Sequence, residues 1–357
     1  MAAFDVMMPV KNGMPFLAEA IDSICNQTFS DWRLLVLDHG STDGSLELAH
    51  QRAERDYRIV VSSHPQASGI AELRNIGLAK CDCRTLMLQD ADDVSFPNRM
   101  ETVSAAFRAY PDMLVIGADA EVIDPQGQRT GYLSAPREPA AVAAASFFYF
   151  PIVHPAAAAD FAQLSRLGAA YGADIMGSVP AAESVHVGTL AEDYILFGQL
   201  ALLGPCTNLP LPLIRYRRHQ KSTGVRSPQE QIGQALKISR FLAKSFCLKN
   251  GIAPFDPGPF CNHADHVFDF GARDYADGFK AMADALRRGL GPSRALEREL
   301  AFREILATRD SGAMALRFFR FLLGNTATQV ERRTVRNWLL KDLRRGKYVY
   351  RAREAMA

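Results

Sequence analysis

Thr85-Leu86-Met87-Leu88-Gln89-Asp90-Ala91-Asp92-Asp93 turns from apolar to acidic in a single short run. The apolar half reads as a buried strand and the acidic half as the loop at its carboxyl end. In an open α/β sheet, ligands bind just beyond the carboxyl ends of the strands. Carboxylates crowded there repel one another unless a cation neutralises them. Oxygen ligands on a loop suit Mg²⁺ or Mn²⁺, which take one or two carboxylates together with substrate phosphates. An acidic turn ahead of the helix that opens near Pro97 has the same local appearance, so the surrounding chain has to decide.

Upstream, Asp5-Val6-Met7-Met8-Pro9-Val10 reads as a first strand. A turn at 11–13 and a helix from Pro15 to about Asn26 follow, with apolar residues at helical spacing. Leu34-Leu35-Val36-Leu37 is a continuous apolar strand of the parallel-sheet kind. It ends at Asp38-His39-Gly40-Ser41-Thr42-Asp43-Gly44, where Ser41 or Thr42 can cap the next helix. A strand at 58–61 and a helix at 69–79 carrying Arg74 and Asn75 lead into the opening stretch. A helix at 97–109 and a strand at 113–117 follow it. This β-α alternation predicts a mostly parallel sheet covered by helices on both faces.

The rhythm then changes. Residues 121–127 read as a strand entering a turn, Glu192-Asp193 opens a helix, and a strand over 211–217 delivers Arg217, Arg218 and His219. From Ser227 onward the pattern is helical. The expected division is therefore an α/β domain over 1–224 and a helical region over 225–357.

The chain has 357 residues, a formal net charge of +2 and six scattered cysteines. That balance implies no overall polyanion partner, and the cysteine usage suits a reduced, cytoplasmic protein. Neither a basic leader with an apolar core nor a membrane-spanning run is visible in the sequence.

Pro9-Val10-Lys11-Asn12, the Asp38-to-Gly44 loop, Arg74-Asn75, Asp90-Ala91-Asp92-Asp93 with Pro97 and Arg99, and Glu192-Asp193 occur in a recognisable order. With them the chain resembles the family 2 glycosyltransferases of GT-A fold over its first two-thirds. The resemblance implies an inverting, metal-dependent enzyme that moves a sugar from a nucleotide diphosphate donor to a saccharide or lipid-linked saccharide hydroxyl. Bacterial surface polysaccharide or glycan synthesis is the implied setting, and UDP the implied nucleotide.

The resemblance also implies roles. Asp193 is the base that takes the acceptor's proton, with Glu192 beside it. Pro9, Val10, Asn12, Asp38, His39, Arg74, Asp90 and Ala91 surround the donor. Asp92, with Asp90 and His219, is the expected Mn²⁺ or Mg²⁺ site. Arg217, Arg218, His219 and Lys221 match a stretch that closes over the diphosphate. His39 stands where an acidic residue or Asn is usual, and neutral His still accepts one hydrogen bond. His154-Pro155 matches a position in the acceptor region.

Two small clusters, Cys81-Asp82-Cys83 and Cys261-Asn262-His263-Ala264-Asp265-His266, lack the second ligand pair of a zinc site. Residues 332–353 are rich in Arg and Lys with Trp338 and Leu interspersed. Such a helix suits an anionic membrane surface, which would put the protein at the inner face of a membrane. It equally suits packing on the domain or in a homo-oligomer. No nucleic-acid-binding module accompanies it. Competing functional readings are a degenerate nucleotide-sugar or membrane-binding scaffold and a sugar-phosphate nucleotidyltransferase. The latter needs a Gly-rich basic loop after the first strand, which residues 9–14 do not supply.

Overall fold

The computed structural model describes residues 2–220, 222, 228–264 and 275–343. The chain divides into two compact units: 1–142, 151–175 and 185–228 form the first, and 143–150, 176–184 and 229–357 the second. The boundary expected at residue 224 lies outside the described residues.

The first unit opens with the expected alternation. In order come β1 (Ala2–Val10), α1 (Leu17–Cys25), β2 (Trp32–Asp38), α2 (Ser45–Arg55), β3 (Ile59–Ser63), α3 (Ile70–Lys80) and β4 (Cys83–Leu88). After it come β5 (Val94–Ser95), α4 (Arg99–Ala109), β6 (Val115–Ile123), β7 (Arg129–Leu133), α5 (Pro139–Ala145), whose residues from 143 belong to the second unit, and β8 (Ala158–Asp160). Helix α6 (Phe161–Arg166), helix α7 (Glu192–Leu203) and strand β9 (Cys206–Arg217) complete it.

Among the described residues the strands form a nine-stranded sheet in the order β3-β2-β1-β4-β8-β6-β9-β5, with β7 on β6. The chain leaves β1 toward β2 and β3 on one side, and returns to β4 on the other. The order therefore reverses between β1 and β4, and a crevice opens beyond their carboxyl ends. The β1, β2, β3 and β4 pairings are parallel, as is β6 with β9. Short β8 runs antiparallel between β4 and β6. The sequence did not show this strand: three residues are too few to display a period, and Ala158-Ala159 carries no β-branched signal. Val6, Met8, Leu34, Val36, Met87 and Ile116 are buried in the core beside the helices, so the sheet is held mainly by apolar burial.

The cap expected at Ser41 or Thr42 is corrected. Helix α2 begins at Ser45 after Gly44, which has φ 90°. Ser41 and Thr42 instead fasten the turn at Asn12: Asn12 N–H donates to Ser41 Oγ at 3.0 Å, and Thr42 N–H donates to Asn12 Oδ1 at 2.8 Å.

The second unit contains α8 (Pro228–Asn250), α9 (Ala276–Leu290), α10 (Arg294–Ala307), α11 (Ser311–Gly324) and α12 (Gln329–Leu343). Phe302, Leu306, Met314, Phe321, Val335 and Trp338 share its core. Trp338 is fully buried with the Arg309 guanidinium 4.4 Å from its ring centre. The aromatic ring expected on the membrane-facing side of α12 is therefore interior; residues 344–353 lie outside the described part. Cys261 is buried beside Ser239, and Asn262 accepts from Arg303 at 2.6 Å, while Asp265 and His266 lie outside the described residues. No described helix is long and apolar enough to cross a membrane.

Candidate active site

The crevice is built from strand ends. Beyond β1, residues 12–14 are laced to the loop after β2. Gly13 N–H donates to Ser45 Oγ at 2.9 Å, and Met14 N–H to Asp43 Oδ2 at 3.0 Å. Asn12 takes a left-handed backbone, φ 55°, which its short polar side chain tolerates. Asp38 points into its own loop. It accepts from Ser63 Oγ at 2.7 Å, Gly40 N–H at 3.0 Å and Ser41 N–H at 3.1 Å. Burial alone would raise its carboxyl, but these hydrogen bonds hold it below the usual range. His39 Nε2 lies 2.8 Å from the Ala67 carbonyl. A carbonyl only accepts, so Nε2 carries a proton in this contact, and the uncharged tautomer that fits it has Nδ1 as its acceptor.

Beyond β4, the acidic stretch meets α3 and α7 around one guanidinium. Buried Arg74 binds Glu192 through Nη1 and Asp90 Oδ1 through Nη2 at 3.3 Å. Its Cζ lies 5.3 Å from the Tyr171 ring centre. The start of α7 is set against the start of α3: Ala71 N–H donates to the Gly188 carbonyl at 3.1 Å, and Val187 N–H to the Gly172 carbonyl at 2.9 Å. Gly172 is required for that approach, because a Cβ there would stand 2.2 Å from the Val187 oxygen. Ala191 then turns the chain through a left-handed residue, φ 60°, and Glu192-Asp193 follows.

Three carboxylates near one cation do not titrate independently. Burial raises Glu192 to about 7 despite Arg74, with Asp193 and Asp90 adding to the rise. Burial likewise lifts Asp90 to about 6 against the pull of Arg74, although 29% of that side chain still reaches solvent and tempers the effect. Asp193 is also raised, by burial first, while Arg74 and the Tyr194 N–H oppose it. Arg74 stays protonated, because its acidic neighbours outweigh its burial.

Asp92 faces the end of β9. Its Oδ2 lies 2.8 Å from His219 Nε2, and both side chains reach solvent. The His219 ring packs on Phe16 with centres 5.0 Å apart, and the Arg217 Cζ lies 4.7 Å from the Phe16 ring centre. Arg217 is corrected from the mobile donor expected of it. It is buried, donating to the Asp92 carbonyl at 2.9 Å and the Asp124 carbonyl at 3.2 Å, while its N–H meets Asp93 Oδ1 at 2.7 Å. Arg218 is exposed, with its N–H on the Ile123 carbonyl, and Lys221 lies outside the described residues. His154 is buried 3.2 Å from Tyr171 Oη, and burial holds it neutral.

The structure thus gathers Arg74, Asp90, Glu192 and Asp193 in one cluster and Asp92 with His219 in an adjoining one. Pro9 and Val10 end β1, and Ala91 joins Asp90 to Asp92. Among the described residues no group of three or more His, Cys, Asp and Glu side chains could hold a metal ion. Asp92 and His219 supply one carboxylate and one imidazole, two donors of the kind a divalent cation such as Mn²⁺ can take. Sequence reasoning missed Phe16 and Tyr171; an aromatic in a loop or first helical turn gives no signal of what it will support.

A mostly parallel sheet with acidic loops at its switch point is the GT-A architecture. Residues 5–147 match the family model for Glycosyl transferase family 2. EpsE of Bacillus subtilis (strain 168) is 34% identical over 125 residues, 35% of this chain and 45% of EpsE. The O-antigen biosynthesis protein RfbC of Myxococcus xanthus is 31% identical over 116 residues, 32% of this chain and 9% of RfbC. The chain therefore spans under half of EpsE and under a tenth of RfbC. S. aureus TarS 1–349, crystallised with UDP-GlcNAc, superposes with a TM-score of 0.57 at 14% identity, covering 97% of this chain and 93% of that one.

Proposed function

We propose that this chain is an inverting, metal-dependent glycosyltransferase that moves a sugar from a nucleotide diphosphate to a saccharide or lipid-linked saccharide hydroxyl. The observation that carries the reading is the convergence of Asp90 and Glu192 on Arg74, with Asp193 next to Glu192 in the chain, beside the Asp92–His219 pair. Such a cluster is costly to build in a core, and perturbed carboxylates concentrated in a crevice mark chemistry.

In this reading the acceptor oxygen forms a bond to the anomeric carbon as the bond to the diphosphate breaks. Asp193 takes the hydroxyl proton. Arg74 opposes the rise that burial imposes on Asp193, and Glu192, bound to Arg74, positions that guanidinium. Asp92 and His219 would hold Mn²⁺ or Mg²⁺, which supplies charge stabilisation to the departing diphosphate. Arg218, exposed after β9, can add a further positive charge there.

UDP is the favoured nucleotide. His39 Nδ1, free to accept because Nε2 donates to Ala67, suits the N3–H of uracil. The UDP-GlcNAc complex of the fold relative TarS points the same way. Surface polysaccharide assembly is supported by the naming of RfbC, and residues 1–224 form the catalytic part in this proposal.

Asp193→Asn tests the role of α7. Donor binding should persist while transfer falls by about 10²- to 10⁴-fold, the usual contribution of a general base. Undiminished turnover would remove Asp193 from that role.

A further inference from the structure

Helix α11 carries large apolar side chains on two opposite faces. At 3.6 residues per turn, Met314, Phe318 and Phe321 fall on one side, and Leu316, Phe319 and Leu323 on the other. The first set belongs to the core of the second unit. The second is exposed, Leu316 at 51%, Phe319 at 61% and Leu323 at 75%. A helix with large apolar side chains on opposite faces is ordinarily covered on both. Three large side chains in one stripe form a patch, unlike the single exposed residues that folded surfaces tolerate.

The charge on the helix itself has one sign. Arg320 is exposed at its edge, and residues 311–324 contain no Asp or Glu. Arg317, further round the helix, is paired with Glu304 on α10.

We propose that the outer face of α11 docks on an anionic lipid surface. Leu316, Phe319 and Leu323 enter the boundary between headgroups and acyl chains, and Arg320 meets lipid phosphate. An amphipathic helix lying in this plane gains from buried apolar area and from attraction to anionic lipid together. A second copy of the chain is a poorer occupant, because an isologous contact would set arginine against arginine. The inference uses no residue of the crevice and stands apart from the transfer reaction.

The test is flotation of the full chain with vesicles of phosphatidylglycerol and phosphatidylcholine, compared with phosphatidylcholine alone. Binding should be at least about tenfold stronger to the mixed vesicles. It should fall about tenfold or more in the Leu316→Ser, Phe319→Ser, Leu323→Ser triple variant, with circular dichroism unchanged. Arg320→Glu should lose about fivefold or more, and only on anionic vesicles. Leu323→Trp gives a reading free of any folding defect, as its added indole emission should shift to the blue on mixed vesicles. Unchanged vesicle binding by the triple variant, no preference for anionic lipid, no binding at all, or an unshifted emission from the Leu323→Trp variant would overturn the proposal. So would a dimer in sedimentation that the triple variant abolishes, which would give the face to a second copy.

Discussion

Helices α7 and α11 depart from ordinary amphipathic patterning in opposite directions. Helix α7 turns charge inward: Glu192 and Asp193 open it beside buried Arg74, and the turns that follow are apolar and buried. Helix α11 turns apolar surface outward, with Leu316, Phe319 and Leu323 exposed behind a fully packed inner face. Each arrangement costs stability that a simpler sequence would retain. Local rules are relaxed where a surface has something to bind, and the direction of the departure indicates what. Buried charge in a crevice suits a polar ligand, and exposed apolar stripes suit a lipid or protein one.

Arg74→Met breaks the contrast most severely. It leaves Glu192 and Asp90 without their cation, and should lower stability by about 3–5 kcal/mol in denaturant melts. Loss well under that range would mean that the carboxylates are protonated at neutral pH and need no partner.

The pH dependence of stability sharpens the same point. The folded-state pKa of Glu192 is raised from 4.5 to about 7, so between those values the folded chain holds a proton that the unfolded chain has released. Its contribution to stability is therefore fully present below about 4.5 and is lost as pH rises through about 7. Glu192→Gln should flatten the melting temperature across that window, an effect of order 1 kcal/mol or more. A wild-type slope that survives the substitution would assign the titration to another group.

Much of this site is legible in the sequence because its residues stand at strand ends, where an apolar run stops against Asp90 or Asp38 and the topology follows from β-α alternation. What escapes is any property decided by packing at a distance. Arg217 in a run of basic residues looks like an exposed donor, yet three elements close over it. Asp38 looks like a ligand group, and the hydrogen bonds it accepts from Gly40, Ser41 and Ser63 are decided by how its loop and β3 pack. Helix α11 carries large apolar residues on two opposite faces, so periodicity has no means of telling its inner face from its outer one. Trp338 shows the converse: basic neighbours suggested a surface, and the core took the ring.

Smaller effects refine the account. Ala191 holds a left-handed backbone before Glu192. Ala191→Gly should relieve about 1 kcal/mol of strain, less the entropy that glycine gives the unfolded chain, and leave transfer intact. A lower melting temperature would show that the methyl packs usefully. Smallest of all, the serine triple variant of α11 should change stability by no more than about 0.5 kcal/mol per site, since those side chains are already in water. A large loss there would mean that the stripe is covered by protein.

The most direct measurement is a thermal-shift panel of UDP, dTDP, GDP and CDP, each with and without Mn²⁺, on the wild type and on Asp92→Ala. A ligand that binds only the folded chain stabilises it by about 2.7 kcal/mol at a hundredfold excess over its Kd. The expected result is stabilisation by UDP above the others, dependent on Mn²⁺ and lost in Asp92→Ala. No shift with any nucleotide, or a shift indifferent to both metal and Asp92, would contradict the reading of this crevice as a metal-assisted nucleotide-sugar site.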